Sequence, residues 1–205
     1  TIATWALMHK KGLHSAGSYT QNTLSGIIKV SVGVDGLIFM EQPVQEFKNI
    51  IDFTIIADTL GINEDMFDKS FKPQIVQSAL MLGIKSKESL NSLNINSAKL
   101  IELNKKYSFK GLHAFVMLND KDILASVRFF DPIVGIDEDA ATGTSNGSFL
   151  TYLRSSNALP SKEIYKIEQG EKMGQLSHLY GKFENDRVWV GGKAQDSISR
   201  QIELL

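Results

Sequence analysis

The chain has 205 residues, a formal net charge of −1 at pH 7 and 42% hydrophobic residues, which is ordinary usage for a globular protein. Its balanced charge provides no basic surface for nucleic acid, and no apolar run reaches the roughly 18 residues that a membrane span needs. The absence of cysteine excludes disulfides, thiol catalysis and cysteine zinc sites, and it fits a cytoplasmic protein.

The first predicted elements are a helix and a hairpin. Residues 1–8 are typical of a helix, and two lysines and a glycine at 10–12 provide its end. Because the chain opens inside a helix, we expect it to be a fragment of a longer protein. Residues 27–34 and 37–40 are predicted strands, joined by an Asp35-Gly36 turn.

The middle of the chain alternates between predicted helices and extended segments. Asn49 is the predicted N-cap of a helix that runs through Leu60 and stops at Gly61. The next predicted elements are extended chain at 74–84, helices that begin after Ser86 and Ser97, and a hairpin of 114–118 and 123–130 with its turn at Asn119-Asp120.

The last third begins with a predicted polar loop at 131–143 and a helix at 144–156. The remaining predicted strands are 164–167, 176–180, 188–190 and 198–204, with turns at Asn185-Asp186 and Gly191-Gly192. Helices and strands are thus interleaved with several hairpins. This pattern predicts a mixed α/β fold of the α+β class rather than a parallel βαβ series.

Two segments of the chain echo each other weakly. Residues 1–12 and 144–157 are both predicted short helices that begin with small residues and precede several strands. The echo indicates either two copies of one helix-in-sheet unit or a coincidence, and the pattern alone leaves both open.

The segment at 135–147 carries the strongest indication of chemistry. Asp137, Glu138 and Asp139 precede a run of small residues that opens a helix, so we predict that residues 139–145 run from a loop into the N-terminus of a largely buried helix. Unpaired N–H groups and the helix dipole at such an end favour a carboxylate or phosphate, and a neighbouring acid can exchange a proton. In the alternative interpretation, which spacing alone makes the more frequent one, Asp139 only caps the helix.

Residues 143–147 also match the G-x-S-x-G nucleophile elbow of hydrolases. That motif requires an apolar strand directly before it, where this chain has an acidic segment. In hydrolases with this motif the acid of the triad precedes the histidine along the chain, whereas here His178 precedes Asp186 and Asp196. We therefore discount a serine hydrolase.

Residues 169–177 form a glycine-bearing loop between two predicted strands, which by itself indicates only a turn. The four histidines lack metal-ligand spacing and are interpreted as surface or strand residues, and both tryptophans are interpreted as core residues. These are His9, His14, His113, His178, Trp5 and Trp189.

Three stretches together resemble a known family in their order and spacing. They are Arg128-Phe129-Phe130-Asp131-Pro132, Glu138-Asp139-Ala140-Ala141-Thr142-Gly143-Thr144, and Gln169-Gly170-Glu171-Lys172-Met173-Gly174 with Ser177. The chain resembles the PhzF-like (phenazine biosynthesis isomerase) family. Residues 1–4 resemble the residues after the histidine of its Gly-His-Ala-Thr motif, and Gln42-Pro43 resembles the end of its first domain.

The resemblance implies a diaminopimelate epimerase-like fold. Such a fold has two similar domains, each a central helix wrapped by a sheet, with the active site between the helix N-termini. Transferred to this chain, it implies an incomplete first domain at 1–48, a second domain at 49–192, and a strand at 193–205 that returns to the first. It also implies a homodimeric isomerase without metal or other cofactor, which moves a proton on a small carboxylate-bearing substrate in secondary-metabolite or amino-acid-related biosynthesis.

The resemblance assigns roles to individual residues. Asp139 takes the place of the active-site aspartate and Thr144 that of the active-site hydroxyl residue, so both are expected to be catalytic. Gly143 and Thr144 would offer backbone N–H groups to the substrate carboxylate. The other expected substrate-binding residues are Ser145, Gly170, Met173, Gly174 and Ser177.

Several departures from the family pattern leave alternatives open. Ala140 stands where the family usually has proline, and Gln175-Leu176 stand where it often has Arg-Pro, so the substrate is not identified. The family's acid/base glutamate and its motif histidine would fall before Thr1, so we expect an incomplete active site in this chain. The alternative hypothesis is a non-catalytic protein that binds a small carboxylate or a partner.

Overall fold

The structure is a computed structural model that describes residues 1–24 and 26–195. The chain folds into two compact units. The first comprises Thr1–Glu41 and the segment that begins at Gly191, and the second comprises Gln42–Val190.

The predicted divisions lie after residues 48 and 192, whereas the compact units divide after residues 41 and 190. Residues 42–48 belong with the second unit because the Gln42 N–H donates to the Val188 carbonyl at 2.9 Å and the Gln77 N–H to the Glu46 carbonyl at 2.7 Å. Of the predicted return strand at 193–205, residues 196–205 lie outside the described residues, and so does the predicted strand at 198–204.

The first unit contains one helix packed on a three-stranded antiparallel sheet. Its elements are α1 (Ile2–Lys10), β1 (Gly17–Thr23), β2 (Gly26–Val32) and β3 (Ile38–Glu41). Trp5 of α1 packs against Val30, Val32 and Ile38 in a small apolar core, as its interpretation as a core residue predicted.

The hairpin predicted at Asp35-Gly36 is confirmed. Val32 of β2 faces Ile38 of β3 across the antiparallel pair. Gly36 has a φ of 77°, a conformation that costs least for glycine, and the Asp35 carboxylate accepts the Leu37 N–H at 3.0 Å. This hydrogen bond holds the pKa of Asp35 below its usual value, with a further contribution from Lys193.

The second unit is built on one mixed sheet. Its strands are β4 (Phe47–Ile50), β5 (Gln74–Val76), β6 (Ala79–Gly83), β7 (Gly111–Met117), β8 (Ile123–Asp131), β9 (Ile136–Asp139), β10 (Tyr165–Gln169), β11 (Ser177–Glu184) and β12 (Arg187–Gly192), the last two residues of which belong to the first unit. They are hydrogen-bonded in the order β12-β11-β10-β8-β7-β6-β5-β4, and β9 pairs with β8. The β6–β7 and β8–β10 pairs are parallel.

Four helices accompany this sheet: α2 (Phe53–Leu60), α3 (Lys87–Ser92), α4 (Ser97–Tyr107) and α5 (Gly143–Ser155). The predicted cap at Asn49 is wrong. Asn49 lies in β4, and Asp52 caps α2 by accepting the Thr54 N–H at 3.0 Å. The predicted stop at Gly61 is confirmed by its left-handed conformation, with a φ of 68°.

The two faces of the sheet carry separate apolar cores, because successive strand residues point to opposite faces. In β6, Leu80 and Leu82 belong to one core, whereas Ala79 and Met81 belong to the other. Helices α2, α3 and α4 pack into the first core and α5 packs into the second. Burial of each large apolar side chain contributes about 1.5–3 kcal/mol, so these two cores dominate the stability of the unit.

Helix α5 is the central helix of the second unit, and every residue from Ser145 to Leu150 is buried. Gly147 permits this close packing, since a Cβ there would lie 3.1 Å from the Gln42 side chain and 3.2 Å from that of Val190. The predicted passage of residues 139–145 into the N-terminus of a largely buried helix is confirmed, except that Asp139 ends a short strand.

Two local predictions about this unit are wrong. The polar segment predicted as a loop contains β9, which forms because it pairs with β8. Gly191 and Gly192 end β12 instead of making a turn, and a Cβ on Gly191 would lie 2.6 Å from the Ile38 carbonyl oxygen. Glycine at position 191 therefore serves a close approach of two backbones.

Candidate active site

The candidate site begins at the N-terminus of α5. Its N-cap residue, Thr142, makes no side-chain capping hydrogen bond in the described part of the chain. The Thr142 hydroxyl instead donates to Asp139 Oδ2 at 2.6 Å. The first N–H groups of a helix have no partner within it, and in general they favour a negatively charged group at that end.

Asp139 lies directly beside this helix end. It is the last residue of β9, opposite Phe129 of β8, and it is half-buried. Besides the Thr142 hydroxyl, its carboxylate accepts the Ala141 N–H on Oδ1 in a long contact of 3.4 Å. Among the described residues, one carboxylate oxygen is thus firmly held and the other has only a long contact.

A buried amide joins the two motif stretches. Gln169, at the end of β10, donates from Nε2 to the Asp139 carbonyl at 2.7 Å and to Thr142 Oγ1 at 2.9 Å. Its Oε1 accepts the Thr142 N–H at 3.2 Å and Asn146 Nδ2 at 2.9 Å. The sequence alone assigned no role to Gln169, Thr142 or Asn146, and their only signal was that all three lie within or beside the matched motifs.

The glycine loop that follows Gln169 packs against Ala140, next to Asp139. Gly170 is buried with a φ of 84°, and a Cβ there would lie 2.9 Å from the Ala140 carbonyl oxygen and 2.5 Å from that of Gln175. Residues Glu171–Met173 form a short 3-10 turn that ends at Gly174. The structure therefore brings the two predicted stretches together.

The expected ligand-binding residues differ in their exposure to solvent. Thr144 is exposed on the first turn of α5, and Met173 and Gly174 are exposed on the glycine loop. The Ser177 hydroxyl donates to the Gln175 carbonyl at 3.2 Å. The Ser145 side chain is buried, and its Oγ lies 2.7 Å from His113 Nδ1, so Ser145 could offer a ligand only its backbone N–H.

His113 is a buried residue of β7 to which the sequence alone gave no role. Its ring stacks on Phe149 at 4.9 Å between centroids, and burial lowers its pKa to about 3. No described residue bonds to its Nε2. A neutral, enclosed histidine beside a buried serine is no hydrolytic pair, which agrees with the rejection of the hydrolase motif.

Arg128 and Glu138 anchor the strand that carries Asp139. The guanidinium donates from Nε and Nη2 to the Glu138 carboxylate at 2.8 and 2.7 Å. Nη1 donates to the carbonyls of Leu90 and Leu93 at 2.9 and 2.8 Å. Because these charges are nearly buried and fully paired, they hold β9 in place and are not available to a substrate.

A second charged cluster holds the glycine loop to α3. Lys87 Nζ lies 2.6 Å from Glu171 and 3.6 Å from Glu168, and the hydrogen bond with Glu171 raises the pKa of Lys87. His178 Nε2 lies 3.6 Å from the other Glu168 oxygen. Within residues 1–24 and 26–195, no group of three or more acids and histidines is arranged to hold a metal ion.

Sequence comparison establishes the family of the chain. The family model of phenazine biosynthesis-like proteins (PhzC-PhzF) matches residues 1–200. The chain belongs to this family. No helix in the described part of this PhzF-family chain combines the length and apolarity needed to cross a membrane.

Curated relatives include proteins named as isomerases. The chain is 35% identical over 166 residues to an uncharacterized isomerase of Clostridium acetobutylicum, a match that covers 75% of this chain and 55% of the relative. It is 24% identical over 188 residues to a human phenazine biosynthesis-like domain-containing protein, covering 86% of this chain and 62% of the relative. A shorter match of 57 residues, 35% identical, is to the trans-2,3-dihydro-3-hydroxyanthranilate isomerase of Pseudomonas aeruginosa and covers 28% of this chain and 20% of that enzyme. The chain thus spans little more than half the length of the clostridial relative.

Solved structures of the same family share the fold. A PhzF-family phenazine biosynthesis protein from Bacillus anthracis has a TM-score of 0.80 at 18% identity, covering 94% of this chain and 71% of that one. A predicted epimerase from Pseudomonas aeruginosa has a TM-score of 0.72 at 20% identity, covering 94% and 69%. The epimerase-like α/β fold expected from the sequence resemblance is therefore confirmed.

Proposed function

We propose that this PhzF-family protein is a cofactor-independent isomerase that moves a proton on a small carboxylate-bearing substrate. The observation that carries the proposal is the open N-terminus of α5 beside Asp139, where the Thr142 hydroxyl is turned away from the helix end and toward the acid. The isomerase names of relatives support the same reaction class.

The substrate carboxylate would bind at the helix end. Backbone N–H groups of Gly143 and Thr144, reinforced by the helix dipole, attract an anion, and no lysine or arginine is required for this. The exposed Thr144 hydroxyl can add one more hydrogen bond. Binding by the protein's own N–H groups fixes the substrate's orientation before any proton moves.

Asp139 would then handle a proton or hold a polar group of the bound substrate. Its weakly engaged Oδ1 is the oxygen that a substrate can reach, since Oδ2 already accepts the Thr142 hydroxyl. In this proposal the partner of Asp139 in proton transfer is the acid/base glutamate that the family resemblance implies. Under this proposal the protein acts as a homodimer in the cytoplasm, in secondary-metabolite or amino-acid-related biosynthesis.

The test is proton exchange in heavy water, using the protein produced from its whole reading frame. Small amino acids and trans-2,3-dihydro-3-hydroxyanthranilate, the compound in the name of one relative, form the substrate panel, and deuterium incorporation is followed by mass spectrometry. Asp139→Asn is expected to slow exchange by about 10²- to 10⁴-fold, because an amide cannot accept or release the proton. The melting temperature should change little, because the asparagine oxygen can still accept the Thr142 hydroxyl.

The matched control is Asp137→Asn on the same strand. Asp137 accepts the Ser97 hydroxyl at 2.6 Å and is exposed, so this variant removes the same charge while exchange continues at the parent rate. If Asp139→Asn also exchanges at the parent rate, Asp139 is only a structural residue and the mechanism is wrong. Panel compounds that bind without any exchange would instead identify a non-catalytic carboxylate-binding protein.

A further inference from the structure

Gln169 is a fully enclosed polar side chain beside the candidate site. Its residue has no solvent exposure, and its amide contacts Asp139, Thr142 and Asn146 through four hydrogen bonds. A buried amide costs free energy unless its groups are paired, and a side chain that only filled this space would be apolar. The hydrogen bonds of Gln169 therefore point to a specific task.

The amide determines which way the Thr142 hydroxyl points. Thr142 Oγ1 accepts a hydrogen from Gln169 Nε2 at 2.9 Å, so its own single proton is left for the Asp139 carboxylate, 2.6 Å away. A hydroxyl has one proton to donate, and without the amide it could rotate to another acceptor. Gln169 thus orders the hydrogen bonds in one direction, from amide to hydroxyl to carboxylate.

The same amide holds the backbone on both sides of this hydroxyl. Its Nε2 also donates to the Asp139 carbonyl, and its Oε1 accepts the Thr142 N–H and the Asn146 side-chain amide. The last residue of β9 and the first turn of α5 are consequently fixed to one point at the end of β10. A displacement of about 1 Å in such a group can cost roughly 10²-fold in rate.

We propose that Gln169 is a positioning residue that aims the Asp139 carboxylate through the Thr142 hydroxyl and fixes it relative to the anion-binding end of α5. The inference rests on the proposed function, in which Asp139 is the group that meets the substrate. Gln169 is buried and does not itself touch the substrate. It acts on the turnover step by restricting the orientation of Asp139.

The kinetic test compares variants in the heavy-water exchange assay of the full protein. Gln169→Leu keeps the side-chain volume but removes the amide, and it should lower kcat by about 10- to 100-fold while KM changes little. Thr142→Val interrupts the chain of hydrogen bonds at its middle and should have the same effect. Thr142→Ser keeps the hydroxyl and should retain most of the parent kcat.

Tyr152→Phe is the matched control for the loss of a buried hydrogen bond. Tyr152 lies in the same helix, α5, and its hydroxyl donates to the Lys72 carbonyl at 2.8 Å. This variant should lower the melting temperature and leave kcat unchanged. If Gln169→Leu behaves like Tyr152→Phe, with a lower melting temperature and the parent kcat, Gln169 has only a structural role and the proposal is overturned.

A second measurement does not depend on activity. The Thr142 hydroxyl proton, which is donated to Asp139, should exchange slowly enough to give a proton NMR signal that Thr142→Val removes. The signal should disappear in Gln169→Leu and persist in Tyr152→Phe, whereas its persistence in Gln169→Leu would overturn the proposal. Failure of the proposed function has a different signature, namely parent exchange rates in Asp139→Asn.

Discussion

His113 combines complete burial with an ionisable ring. Its Nδ1 lies 2.7 Å from the Ser145 hydroxyl, and its ring stacks on Phe149. Burial disfavours the charged form and lowers the pKa to about 3, so the ring is neutral in the folded protein near neutral pH. It joins β7 to the first turn of α5 and thereby supports the helix end at which the ligand would bind.

This burial predicts a loss of stability in mild acid. The unfolded chain has an ordinary histidine pKa near 6.5, so between about pH 6.5 and pH 3 the unfolded state binds one more proton than the folded state, and stability rises with pH in that window. From pH 7 to pH 5 the free energy of unfolding should fall by about 2 kcal/mol from this residue alone.

The measurement is urea unfolding of the parent and of His113→Phe at the two pH values. Phenylalanine fills the same space without a titratable group, so the variant should lose about 2 kcal/mol less than the parent between pH 7 and pH 5. The variant also leaves the Ser145 hydroxyl without its partner. This lowers its free energy of unfolding equally at both pH values, so the effect cancels in the comparison. Equal losses in both proteins would show that His113 does not resist protonation in the fold.

The loop between β10 and β11 contains two glycines with positive φ in different surroundings. Gly170 has a φ of 84° and is enclosed by the carbonyl oxygens of Gln175 and Ala140, whereas Gly174 has a φ of 68° and nothing lies within 4 Å of the position of its Cβ. The stability cost of a left-handed backbone and that of a close backbone contact can therefore be measured separately.

Gly174→Ala should cost about 1–2 kcal/mol, which is the penalty of a left-handed backbone for alanine. Gly170→Ala carries a similar penalty, and the overlap with two carbonyl oxygens should add about 1–3 kcal/mol. Denaturant unfolding of the two variants measures the difference directly. Equal costs would mean that the loop moves away freely and does not rest on the segment that carries Asp139.

Short elements show how contacts override local patterns. The strand β9 has little strand character in its sequence, yet it pairs with β8 and is anchored by the Arg128–Glu138 ion pair. The N-cap of helix α2 is Asp52, three residues after the predicted cap Asn49, because residues Phe47–Ile50 pair with β5 before the helix can start. In both cases hydrogen bonds to a partner strand fix a backbone conformation that differs from the one the local sequence favours.

The two compact units lead to a prediction about autonomous folding. The second unit, Gln42–Val190, is one continuous stretch with an apolar core on each face of its sheet. A protein of residues 42–190 should fold alone and unfold cooperatively, because domains of about 100–150 residues usually bury enough apolar surface to be stable.

Circular dichroism and thermal unfolding of this protein would test the prediction. A single sharp transition, together with loss of near-ultraviolet signal at the same temperature, is the expected result. A broad transition with persistent secondary structure and no fixed aromatic signal would contradict it, and would indicate that the second unit depends on the first for its packing.

Local chemistry in the sequence was sufficient to predict some of the turns, several helix ends and the family. Backbone preferences of a few adjacent residues determine the turn at Asp35-Gly36, the helix stop at Gly61 and the passage into α5. These preferences act independently of contacts with distant parts of the chain. The motif stretches around Asp139 and Gly170 identified the family that the comparison of residues 1–200 established.

Only the tertiary structure determined how those stretches meet. Gln169 bonds to Thr142 from 27 positions away, and His113 reaches Ser145 across 32 positions. Partners so far apart leave no periodic or adjacent signal, because their contact depends on the order of strands in the sheet and on the depth of α5 within it. The sequence therefore indicated the acid and the helix end, whereas the side chains that orient them became visible only in the folded protein.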